Sequence, residues 1–279
     1  MKKSLSIVLV LLLALLVTGC KESTSTADNF DLSQYEDGIY FATEDDFSER
    51  TGWKYVVTLE VSDGKITYVD WNGANVNGGR DKKTVDKDGD YNMVEFGGAQ
   101  AEWYEQAEIA EANLLETQNP YAVTIDEDGK TDDLTGVSIT VSEFFSLVEK
   151  ALSNGPVGRG MYEDGTFYAE EDDYHNGYKY AVDLTVINGY IVAANWDGLP
   201  EEGDITKKQA AEEGTYGMVE RGGAQSEWHE QAALAESHLL EVQDPTAIAL
   251  SDSGVADEIT GATITVDVFL ELVAEALNN

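Results

Sequence analysis

An α+β fold, built twice in tandem, is expected from three observations. Apolar residues alternate with period two early in each half, Asx-Gly pairs follow that alternation, and apolar residues recur at helical spacing later. In the first half, Tyr55, Val57, Leu59 and Val61 alternate with Lys54, Thr58 and Glu60, the pattern of a half-buried strand. Asp63-Gly64 follows and leads into Ile66-Thr67-Tyr68-Val69, a strong hairpin signal. The second half turns at Asn188-Gly189, the other favoured type I′ pair. Trp103, Ala107, Ala110 and Leu114 then mark a helix, as do Trp228, Ala232, Ala235 and Leu239. Tyr121 to Ile125 reads as a further strand. A closing helix carries Phe144, Phe145, Val148 and Leu152, matched by Phe269, Leu270, Val273 and Leu277. Thr140 with Glu143 fits a capping box for the first closing helix. Thr265 is expected to cap the second, with Asp267 in its first turn favouring the helix dipole. Each unit is therefore expected to be a hairpin-rich antiparallel sheet with about two helices.

The two halves are copies. Gly89 to Trp103 (GDYNMVEFGGAQAEW) answers Gly214 to Trp228 (GTYGMVERGGAQSEW), displaced by 125 positions, as Thr135 is from Thr260. Lys82-Lys83 answers Lys207-Lys208 and Pro120 answers Pro245 at the same offset. Two repeats of this length are two similar domains and not a solenoid. They are expected at 35–153 and 161–279, joined by a Gly/Pro-containing linker at 154–160.

Composition narrows the function. The 279 residues carry 54 acidic and 17 basic side chains, a net charge of −37. Such a surface repels phosphate backbones, so nucleic acid is excluded as a partner. It also argues against adsorption to an anionic membrane through basic residues. Lys2 and Lys3, an apolar run from Ile7 to Val17 and Thr18-Gly19 make a signal peptide over 1–19. The apolar run is shorter than the roughly 20 residues a transmembrane helix needs. Leu16-Val17-Thr18-Gly19-Cys20 resembles a bacterial lipobox, which implies lipidation of Cys20, the single cysteine. The exported remainder then has neither disulfides nor thiolate metal sites. Residues 20–34, polar and without apolar periodicity, read as the lipidated cysteine and a flexible tether.

Each unit ends on a repeated stretch, Asp132-Asp133-Leu134-Thr135-Gly136-Val137-Ser138-Ile139-Thr140 and Asp257-Glu258-Ile259-Thr260-Gly261-Ala262-Thr263-Ile264-Thr265. The plain interpretation is a turn running into a helix, with hydroxyl caps. The sharper one makes Ser138 and Thr263 attachment points for a phosphate-bearing cofactor. They lie just upstream of expected helix N-termini, where free amides and the dipole accept an anion.

Asp-x-x-Thr-Gly-Ala-Thr-x-Thr resembles the flavinylation motif of FMN-binding domains, found also in the sodium-pumping NADH:quinone reductase. In that family a flavin transferase joins FMN through a phosphoester to the last hydroxyl of the core. The resemblance implies covalent FMN at Thr263, with Thr260, Gly261 and Ala262 completing the core and Asp257 leading it. In the first unit it implies FMN at Ser138, with Asp132, Thr135 and Gly136. This copy departs at Val137 and Ser138, although serine can form the same ester. Lipobox, tether and two Tyr-x-Met…Gly-Gly-Ala-Gln-x-Glu-Trp units together resemble the flavin-bearing surface lipoproteins of Gram-positive extracellular electron transfer.

The Gly97-Gly98-Ala99-Gln100 and Gly222-Gly223-Ala224-Gln225 segments are either loops near a flavin or helix entries. Trp103, Trp228, Tyr91, Tyr216, Met93 and Met218 are correspondingly ring partners or core residues. His175, His229 and His238 have no counterparts in the first unit, which argues against a shared metal site. Asp86, Asp88 and Asp90 lack the glycine position of a calcium loop. The expected function is a lipid-anchored, outward-facing flavoprotein of the cell membrane. It would pass electrons from a membrane quinol-linked donor to extracellular acceptors such as ferric iron. The alternative is a cofactor-free lipoprotein that binds a ligand or partner. Leu12 to Gly19 is also similar to the peptide pheromones that some Gram-positive bacteria release from lipoprotein leaders.

Overall fold

The structure is a computed structural model that describes residues 30–278. The leader, Cys20 and the tether through residue 29 lie outside the described residues. The fold is α+β, with two three-stranded antiparallel sheets of order β1-β2-β3 and β4-β5-β6. In the first unit β1 (Gly38–Thr43) and β3 (Lys65–Asn75) flank β2 (Trp53–Ser62). Helices α1 (Lys82–Lys87), α2 (Met93–Gly97), α3 (Trp103–Thr117) and α4 (Ser142–Asn154) follow. The second unit repeats the order with β4 (Gly165–Glu170), β5 (Tyr178–Ile187) and β6 (Tyr190–Pro200). Its helices are α5 (Lys207–Glu212), α6 (Met218–Gly222), α7 (Trp228–Val242) and α8 (Asp267–Asn278). Among these helices none is long and apolar enough to cross a membrane.

The hairpins form where the Asx-Gly pairs put them. Asp63 and Gly64 have φ of 51° and 70°, and Asn188 and Gly189 have 52° and 75°, the paired positive values of a type I′ turn. One face of each sheet carries the core. Trp71 packs against Trp103 (5.1 Å) and Phe144 (5.1 Å), and Trp196 against Trp228 (5.1 Å) and Phe269 (5.0 Å).

The other face of the first sheet is not solvent-facing as the alternation implies. Lys54, Val56 and Thr58 are buried together with Val57 and Leu59. Val56 and Ala74 pack with Ile187, Val192 and Ala193 of the second unit, and Phe41 stacks on Tyr190 at 5.0 Å. At Gly78 the backbones come so close that a Cβ would lie 2.2 Å from the Asp183 carbonyl oxygen. The linker is held by both units: Val157 donates to the Ile39 carbonyl (2.8 Å) and Gly160 to the Asn188 carbonyl (2.9 Å).

Four other expectations need correction. Residues 30–34, assigned to the tether, belong to the first unit: Leu32 is buried and the Phe30 ring meets Tyr121 at 5.7 Å. Tyr121 to Ile125 is not a strand, because side chains take its amides; Tyr121 donates to Asn119 Oδ1 (2.9 Å) and Thr124 to Asp133 Oδ2 (2.7 Å). Among the described residues each unit has four α-helices, two of them short, and not about two. Thr140 and Thr265 do not cap the closing helices, which begin at Ser142 and Asp267. The Gly129 carbonyl accepts from the amides of Val141 (2.8 Å) and Ser142 (3.1 Å), so the first α4 turn is satisfied by backbone instead.

Candidate functional site

The repeated motif is a tight turn set on a buried glutamine. The Val137 amide donates to the Leu134 carbonyl (3.2 Å), and the Ala262 amide to the Ile259 carbonyl (3.1 Å). The third residue of each turn, Gly136 or Gly261, has φ of 90° or 94°, left-handed values that favour glycine. Beyond the turn, Gln106 of α3 presents its carbonyl oxygen to three donors: the Ser138 amide (2.7 Å), the Ser138 hydroxyl (3.2 Å) and the Ile139 amide (3.2 Å). Gln231 of α7 does the same for the Thr263 amide (2.7 Å), its hydroxyl (3.1 Å) and the Ile264 amide (3.2 Å). Each glutamine NH2 donates to a carbonyl one turn back, Ala101 (2.8 Å) or Ser226 (3.0 Å), which fixes the amide orientation.

This arrangement has two consequences. The amides expected to receive a phosphate are already occupied, so the motif is not an open anion cradle. The hydroxyls of Ser138 and Thr263, in contrast, are on exposed residues and donate inward to a carbonyl oxygen. Their lone pairs are left outward, the arrangement an incoming phosphoryl group needs.

Among the motif acids, the second in each copy is structural. Asp133 accepts from Thr124, and Glu258 Oε1 accepts from the Ala249 amide (2.9 Å). The leading acids Asp132 and Asp257 are exposed, as are Thr135 and Thr260, while Ala262 is half-buried and packs on the second core.

Ser138 and Thr140 line one cavity of about 300 Å³ with Trp53, Tyr55, Tyr91, Met93 and Trp103. Arg50, Lys82 and Lys130 supply its positive charge, Glu44 and Glu143 its negative charge. Lys82 is fully buried, and its Nζ makes no hydrogen bond. Instead it lies 3.7 Å from the Tyr91 ring centre, 4.5 Å from Trp53 and 5.1 Å from Trp103. Cation–π attraction compensates part of the lost hydration. Burial nevertheless pulls the ammonium down to about 7, with Asp86 opposing. In the second unit Lys207 takes this place, with Nζ 4.7 Å from the Trp228 ring centre and 5.0 Å from Tyr216. It donates to the Tyr180 hydroxyl, and burial lowers it to about 8.

The Gly-Gly-Ala-Gln-x-Glu-Trp block leads from the end of α2 into α3. Glu102 completes a capping box on α3 and also accepts from the Met93 amide at the start of α2 (2.7 Å), so it fixes helix entry. Trp103, the next residue, is core on one side and cavity wall on the other. Gly98 ends α2 in the left-handed region (φ 66°). Asp88 and Asp90 pair with Arg80 at 2.8 and 2.7 Å, while the buried Asp86 accepts from the Tyr104 amide at 2.6 Å.

The sequence does not single out Gln106, Gln231, Lys82 and Lys207 as site residues. The signal it does carry is a polar residue repeated in both copies beside the apolar stripe of the helix, Gln106 three after Trp103 and Gln231 three after Trp228.

The lysine makes stability depend on pH. Unfolded, Lys82 holds its proton to about pH 10; folded, it releases it near 7. Between those values the unfolded state binds more protons, so this residue makes stability rise with pH. Lys82→Met should therefore be more stable than the parent below pH 7, by roughly 1–3 kcal/mol after the lost cation–π contacts are counted. The difference should shrink toward pH 10. Urea unfolding at pH 6, 8 and 10 checks this, and a pH-independent difference would contradict it.

No protein-family model matches the chain, and no curated protein does. A Clostridium thermocellum protein solved by NMR in solution shares 53% identity over 43% of this chain and 91% of that chain, with a TM-score of 0.35. A Clostridium perfringens protein solved by crystallography shares 29% identity over 43% of this chain and 88% of that chain, with a TM-score of 0.33.

Proposed function

We propose that the chain is a membrane-anchored, outward-facing flavoprotein of Gram-positive type, carrying FMN esterified to Thr263 and to Ser138 and relaying electrons. Lipid on Cys20 would anchor it, and a flavin transferase would load it. A membrane quinol-linked system would supply electrons, and extracellular acceptors such as ferric iron would take them. The observation that carries this reading is the shared cavity of Ser138 and Lys82. An exposed hydroxyl of the resembling motif opens onto a space of ligand size, walled by aromatic rings and holding a buried ammonium without a hydrogen bond. These residues fit an aromatic, anion-bearing cofactor. When bound, FMN supplies two-electron redox chemistry; the chain's residues fix its position and electrostatic surroundings.

Attachment outside the cell has a physical rationale, since a dissociable cofactor would be lost by dilution. The test is retention of flavin after denaturation, following co-expression with an active transferase. Thr263→Ala and Ser138→Ala should each lose about half of the protein-bound flavin fluorescence in a denaturing gel, and the double variant all of it. A colourless parent protein would favour the cofactor-free binding lipoprotein instead.

A further inference from the structure

Both units bury one lysine in an aromatic cage, at matching positions, in a chain whose net charge is −37, and in the first unit that lysine lines the cavity of Ser138. A buried ammonium needs a reason, because an aliphatic residue would fill the same space without loss of hydration. Asp86 stands near Lys82, but its partner is the Tyr104 amide (2.6 Å), and its counterpart in the second unit is Ala211. Lys207 has Asp197 and Glu171 in its surroundings instead, and among the described residues no acid forms an ion pair with either ammonium. The groups facing Lys82 are Trp53, Tyr55, Tyr91 and Trp103, with Arg50, Lys130, Glu44 and Glu143 around the same cavity.

Resting on the flavin reading above, we infer that Lys82 and Lys207 are the positive charges that face the cofactor ring and offset the negative charge it gains on reduction. Two electrons and one proton from a quinol-class donor turn a neutral ring singly negative. The donor's second proton goes to water, and the ammonium keeps its own. A fixed cation in a water-poor cage then favours the reduced form more than solvent would. Lys82 has Asp86 beside it, whereas Lys207 shares a hydrogen bond with Tyr180, so the two sites need not have equal potentials.

The test is potentiometric titration at pH 6 of flavinylated protein, with loading checked by intact mass. In a Thr263→Ala background only Ser138 carries flavin. There Lys82→Met should lower the reduction equilibrium constant at least tenfold, about 30 mV for a two-electron couple. Lys82→Arg should restore most of it. In a Ser138→Ala background Lys207→Met and Lys207→Arg should behave likewise, and this pair decides the matter should Lys82→Met not be loaded. An unchanged potential in a loaded Lys→Met variant overturns the inference and leaves the flavin reading standing. Absence of flavin from both parent backgrounds overturns the flavin reading itself.

Discussion

Gln231→Leu is expected to lose attachment at Thr263 by tenfold or more while loading at Ser138 continues. Gln231 touches neither solvent nor any proposed ligand, yet its carbonyl oxygen accepts from the amides of Thr263 and Ile264 and from the Thr263 hydroxyl. Leucine fills nearly the same volume and offers no acceptor. Three donors are then left without their partner, and each buried one costs about 1–3 kcal/mol unless the segment moves to reach water. Movement is the cheaper response, and it carries the hydroxyl out of the orientation a transferase must meet. Intact mass and urea unfolding separate the two effects. Full loading of Thr263 in Gln231→Leu would show that the glutamine serves stability alone.

Lys208→Ala is expected to destabilise the apo-protein by about 3–5 kcal/mol. Glu236 of α7 lies buried under the second sheet, where Oε1 accepts from the Trp196 amide (2.6 Å) and from Lys208 Nζ (2.6 Å). Burial pushes the Glu236 carboxyl up and Lys208 holds it back. Without the lysine an uncompensated carboxylate remains. A raised folded value means the native state binds more protons than the unfolded one, so part of the lost stability should return on acidification. Glu236→Gln in the same background should recover much of the loss at neutral pH. The first unit has the same device, with a second acid: Lys83 meets both Glu111 and Asp70 at 2.6 Å, where the second unit has Asn195. Burial opposes the charge on Lys83, but the two carboxylates hold it above its ordinary value. Chemical denaturation of Lys208→Ala and of the double variant measures this, and equal stability of Lys208→Ala and parent would contradict it.

The hairpins, the duplication and the helix faces were legible because each rests on local chemistry. Asp63-Gly64 and Asn188-Gly189 adopt positive φ at little cost, and Trp103 to Leu114 repeats at helical spacing whatever surrounds it. The turn at Gly136 and Gly261 was legible for the same reason. What could not be read locally depended on distant partners. The Tyr121 to Ile125 segment has strand-like composition, but Asn119 and Asp133 take its amides before a neighbouring strand can. Thr140 has the sequence of a cap, yet the Gly129 carbonyl, reached across a loop, sets the helix start at Ser142. The outward face of β2 looked half-polar because Lys54 and Thr58 sit there, while a second sheet covers it. Gln106 carries no local mark of its role, which arises only because α3 turns it under the motif.

The central claim is covalent FMN on two hydroxyls, and the intact mass of the denatured parent protein after co-expression with an active flavin transferase tests it most directly. The account predicts a gain of two FMN phosphoester groups, mapped by peptide analysis to Ser138 and Thr263. No gain, from a transferase shown to load another substrate, would contradict it.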